Sequence, residues 1–123
     1  MSGIRAMEIL KISIKSRDAK RNELLRTCQV ISKAVLLETG CKASNFSQDI
    51  VNENLIYLEQ AWEDRSYLEE HFKSDVFSAL LGAMKLLSDS YEIHINDGPQ
   101  AEGMAAVLAS RSKQSSQQKE EIQ

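Results

Sequence analysis

His71 and Trp62 are the residues of this chain whose types best suit reaction chemistry. Histidine has an ordinary pKa close to neutrality, so His71 could take a proton from a weakly acidic hydroxyl such as a phenol. The plainer reading is a partly exposed helical histidine that caps or hydrogen-bonds a loop carbonyl. Trp62, the sole tryptophan, offers an aromatic molecule a flat apolar wall and an indole N–H, although a lone tryptophan at a strand end also serves core packing. Gln60 falls on the same strand face as Trp62. Tyr57 and Tyr91 could orient a substrate or simply pack on the sheet with satisfied hydroxyls. We take His71 as the catalytic candidate and Trp62, Tyr57 and Gln60 as substrate-binding candidates. His94 alternates with Ile93 and Ile95, which assigns it to the opposite strand face, away from any pocket of His71. Cys28 and Cys41 form no CxxC and no Cys/His cluster at zinc spacing, so a reduced chain without a metal site is expected.

The elements that must position these residues follow from hydrophobic period. Residues 7–15 alternate, with Leu10, Ile12 and Ile14 on one face, and read as a strand. A helix follows, capped by Ser16 or Asp18, carrying Leu24, Leu25, Cys28, Ile31, Val35 and Leu36 at helical spacing and ended at Gly40. Residues 41–48 and 55–62 form a hairpin across the turn formers of 49–54, with Ile56, Leu58, Gln60 and Trp62 on one face. Asp64 caps a short helix through His71; Ser74 caps a second, bearing the core residues Phe77, Leu80 and Met84. Tyr91, Ile93 and Ile95 mark a fourth strand before Asp97, Gly98 and Pro99. Residues 101–112 have weak helical spacing, and 113–123 are polar, of low complexity and expected to be disordered.

The order β, α, β, β, α, β implies an α+β fold of ferredoxin-like topology, with one antiparallel four-stranded sheet and helices across one face. Ile9, Leu55 and Tyr57 leave the other face incompletely polar, and a second copy is its simplest cover, giving a homodimer. The chain has 123 residues, 15 Lys and Arg against 18 Asp and Glu, so no positive field attracts nucleic acid. No apolar run approaches a membrane span, and residues 1–7 lack a signal-peptide core, so a cytoplasmic protein without membrane contact is expected.

Residues 58–84, LEQAWEDRSYLEEHFKSDVFSALLGAM, carry a family likeness. They resemble the antibiotic biosynthesis monooxygenase family, in which a strand ends near Glu or Gln and Trp, an acidic residue follows, and a helix carries Leu and then His before a small polar break. The matching residues are Gln60, Trp62, Glu63, Leu68, His71, Ser74 and Phe77. The ETGC segment at 38–41 is similar to the family's helix end. At Gln60 the pattern departs: either Gln60 replaces the usual Glu or the strand contains a bulge.

The resemblance implies a dimeric α+β barrel and a quinol-type oxygenase that uses no metal, flavin or other cofactor, in which a deprotonated phenolic or quinol substrate reduces dioxygen directly. The protein then binds, orients and excludes water. The family's haem-degrading branch is disfavoured: its Trp and His positions fall on His71 and Leu81, and strand one has no Asn. An amide expected in the polyketide-oxidising branch falls on Leu58. The expectation is therefore a monooxygenase of a small phenolic, quinol or similar electron-rich compound. The alternative is a non-catalytic dimeric small-molecule-binding or regulatory module. The family-like domain is placed at 1–98, with its core at 7–96, and a C-terminal extension at 99–123.

Overall fold

The computed structural model describes residues 7–122, with side chains through Ser112. The elements are β1 (Glu8–Ser16), α1 (Arg21–Val35), β2 (Cys41–Gln48), β3 (Leu55–Trp62), α2 (Arg65–Lys73), α3 (Asp75–Leu87), β4 (Ser88–Ile95) and α4 (Gln100–Ile122). The strands form one sheet in the order β2-β3-β1-β4, every neighbour antiparallel. This is the expected ferredoxin-like α+β topology.

Alternation fixes which strand face is buried. Leu10, Ile12 and Ile14 of β1, Ile56, Leu58, Gln60 and Trp62 of β3, and Ile93 and Ile95 of β4 are all buried. They meet the apolar stripes of the helices: Leu24, Cys28, Ile31 and Val35 from α1, Leu68 and Phe72 from α2, Phe77, Leu80 and Met84 from α3. The opposite face carries Ile9, 44% exposed, beside half-buried Leu55 and Tyr57.

The two central helix caps are where the sequence puts them. Asp64 accepts from the backbone N–H of Ser66 and Tyr67. Ser74 ends α2 and starts α3, its hydroxyl donating to His71 O and accepting from Phe77 N–H. The first cap differs from expectation. α1 is preceded by a 3-10 turn at Asp18–Lys20, and neither Ser16 nor Asp18 caps it. Both side chains are engaged by Asn54 in the β2–β3 loop instead, Ser16 Oγ at 3.2 Å and Asp18 Oδ1 at 2.7 Å. The helix also stops at Val35, short of Gly40, and β4 begins at Ser88 rather than Tyr91.

β3 pairs with β1 without any register shift, so the bulge considered near Gln60 is not in β3 on that side. It lies in β2, where Cys41 faces Trp62 and Ala43 faces Ala61, leaving Lys42 as the extra residue. Gln60 thus occupies the regular inward position.

The C-terminal segment packs on its own chain. Val107 of α4 is 1% exposed, and Arg111 donates to Phe72 O and Ser78 Oγ, each at 2.9 Å. At Gly103 the helix lies so close to β4 that an added Cβ would sit 2.1 Å from Ile93 O. The backbone of 113–122, expected to be disordered, continues α4 to Ile122; residue 123 and the side chains after Ser112 lie outside those described.

Candidate functional site

The site is assembled by the turn between α1 and β2. After Val35 the chain folds tightly, Glu38 N–H donating to Val35 O and Cys41 N–H to Glu38 O. Gly40 then takes φ +86°, and an added Cβ there would lie 2.2 Å from the Tyr67 ring. Only glycine satisfies both demands. Tyr67 thereby seats the turn on α2, and His71, one helical turn further along the same face, meets Glu38. His71 Nδ1 lies 3.0 Å from each carboxylate oxygen of Glu38.

His71 is 1% exposed, which overturns the partly exposed reading, and its partner is a carboxylate rather than a loop carbonyl. Its ring stacks on Trp62 at 4.7 Å between centroids and meets the edge of Phe77 at 5.2 Å. Trp62, fully buried, donates its indole N–H to Gln60 Oε1 at 3.1 Å. A continuous line therefore runs from Gln60 through Trp62 and His71 to Glu38. Two polar atoms in it are buried with no protein partner: Gln60 Nε2 and His71 Nε2.

The chemistry follows from that asymmetry. A carboxylate accepts only, so the neutral imidazole carries its proton on Nδ1 and keeps a lone pair on Nε2. Nε2 can then take a proton from a hydroxyl, and Glu38 balances the imidazolium that forms. The Gln60 amide likewise keeps an N–H donor without a protein partner. Trp62 is a core residue stacked on the His71 ring.

Tyr57 is not part of this group. It lies on the opposite sheet face, beneath Lys11 Nζ at 4.9 Å, its hydroxyl 3.5 Å from Asp49 Oδ1. Backbone N–H donors from Asn52 and Val51 lower the pKa of Asp49. His94 is likewise apart, bonded to Gly98 O at 2.8 Å and Glu92 at 3.3 Å, as its alternation indicated. Tyr91 is half-buried and packs against the core. Glu38 is the residue that sequence reasoning left out. Its signal was the ETG turn preceding β2, which fixes a carboxylate but does not by itself show which histidine it meets.

The cysteines are free and poorly suited to nucleophilic work. Burial pushes the Cys28 thiol up to about 11. Burial, joined by the Glu38 carboxylate, also raises Cys41. Among the described residues no group of three His, Cys, Asp or Glu is placed to hold a metal ion, and no helix is long and apolar enough to cross a membrane.

The sequence profile of the antibiotic biosynthesis monooxygenase family matches residues 7–82. The chain belongs to that family. β4 and α4 lie beyond the matched span.

Solved structures agree on the fold. A Bacteroides thetaiotaomicron protein of unknown function, described as a possible oxidoreductase, superposes with a TM-score of 0.70 at 16% identity, covering 74% of this chain and 96% of its own. A conserved protein from Methanosarcina mazei gives 0.69 at 21% identity, over 76% and 93%. A Deinococcus radiodurans protein named for the same family gives 0.69 at 16%, over 75% and 92%. Among functionally curated proteins no sequence match is found.

Proposed function

We propose that the chain is a monooxygenase of a small phenolic or quinol-like substrate, working without metal or flavin, with His71 as proton acceptor and Glu38 as the residue that positions it. The observation that carries this reading is the buried His71 Nε2, unpartnered while Nδ1 is held by Glu38. Deprotonation makes the substrate electron-rich enough to reduce dioxygen. The balance closes without another reductant: a hydroquinone and dioxygen give a hydroxyquinone and water, the substrate supplying every electron. Trp62 flanks the ring and the Gln60 amide holds its oxygen. Family membership supports the general class; the substrate is our inference.

A second reading has its own support. His71 is enclosed by Trp62, Phe72 and Phe77, with ring centroids 4.7, 6.2 and 5.2 Å away, so a substrate reaches Nε2 only when these rings yield. In a non-catalytic binding module the Glu38–His71 pair would simply brace the α1–β2 turn against α2. Oxygen consumption with a panel of hydroquinones, no metal or flavin added, separates the two. Uptake that is lost in His71→Asn while the fold persists supports the enzyme; no uptake with any member supports the module.

A further inference from the structure

Among the described residues, four buried side-chain polar atoms lack a partner, and only Gln60 Nε2 and His71 Nε2 belong to the site above. The other two are Ser32 Oγ on α1 and Ser44 Oγ on β2, in residues 6% and 9% exposed. Both residues line one cleft of about 290 Å³ between α1 and the edge strand β2. We infer that this cleft is a binding site for a small aromatic carboxylate.

A buried hydroxyl without a partner is a cost that a ligand oxygen removes, and here the two residues that carry such hydroxyls line one cleft. The cleft's charge has one sign: Lys33 lines it, no carboxylate does, and Lys33 has no ion-pair partner among the described residues. Gln29 adds a further amide donor. Ser32, Ser44, Lys33 and Gln29 can all donate, which suits an acceptor-only group such as a carboxylate. Asn45, an amide, and the apolar Leu36 and Phe46 complete the lining. Leu36 and Phe46 are 49% and 37% exposed, with no protein side chain covering them as a flat ring would. The volume lies at the lower end of ligand pockets, the size of one substituted ring. Ser44 pairs in register with Gln60, so the site sits one strand from the His71 group yet shares none of its residues.

The test is an amide-resolved NMR titration of the full chain with benzoate, and with benzamide as its neutral isostere. Saturable shifts centred on Ser32, Ser44 and Phe46 are expected, with benzoate at least about fivefold tighter than benzamide. Lys33→Gln, an exposed substitution that leaves the core intact, should erase that preference, and Ser44→Ala should weaken benzoate severalfold. Shifts centred elsewhere, no saturation, or equal affinity for benzamide in the wild-type chain would overturn the assignment. Turnover does not enter the readout, so failure of the oxygenase reading would leave this result standing.

Discussion

At the scale of single residues, everything turns on which nitrogen of His71 is free. Glu38 holds Nδ1, so replacing it with Gln keeps an acceptor for the Nδ1 proton but removes the charge that balances the imidazolium. We expect Glu38→Gln to lower kcat about ten- to hundredfold with KM unchanged, because the charge acts on the proton-transfer state and not on substrate contact. Steady-state oxygen uptake measures that split. A larger KM with intact kcat would show that Glu38 acts by holding the α1–β2 turn in place, not through His71. His71→Asn should abolish uptake and, unlike a surface substitution, also cost on the order of 2 kcal/mol, since the ring is packed among three aromatics. Chemical denaturation reads that cost directly.

Among the elements, the α1–β2 turn and the β4–α4 turn make opposite kinds of demand. Gly40→Ala must leave φ +86° and also displace the Tyr67 ring, so a loss of roughly 2 kcal/mol or more is expected in a denaturant melt. A loss below the usual surface range would mean that the turn relaxes away from α2. At the other turn, the Gly98 carbonyl and then Glu92 raise the pKa of His94 above 6.5, burial and Lys11 opposing them. The raised folded value means stabilisation that is full below 6.5 and lost as pH rises through the folded pKa. The stability difference between wild type and His94→Gln should therefore shrink from acid toward alkaline pH. A difference that grows with pH would contradict the Gly98 contact.

These elements also show what sequence could reveal. The strands β2 and β3 have the bounds that alternation and the turn formers gave them, and Asp64 and Ser74 cap as their types require. Local chemistry was sufficient there. Ser16 and Asp18 failed as caps because Asn54, distant in sequence, claims both, and no local pattern contains that partner. The same limit hid Glu38: its carboxylate reaches His71 only after Tyr67 docks on Gly40. Gln60, Trp62 and His71 were legible as a set, and alternation already put Tyr57 on the other strand face, where β1 pairing leaves it, although its type had made it a substrate-binding candidate.

For the whole molecule, helices cover one side of the sheet and leave the other to Ile9, Leu55 and Tyr57 among polar neighbours. We propose that a second copy covers this face, since each large apolar side chain left in water forgoes roughly 1.5–3 kcal/mol. Light scattering at micromolar concentration should then report twice the chain mass of 13.8 kDa. A monomer with native melting would leave the open face as this protein's own surface. We further propose a cytoplasmic protein whose family-like unit is 1–98 and whose extension is 99–123, with 113–123 unnecessary to the fold because their polar composition offers little apolar surface. The oxygenase assignment itself is tested most directly by isotope. Turnover of a hydroquinone under heavy-oxygen-labelled dioxygen, followed by mass spectrometry of the product, should place one labelled oxygen atom in the hydroxyquinone and the other in water. Product bearing no label, or label acquired equally from labelled water with unlabelled dioxygen, would contradict monooxygenation.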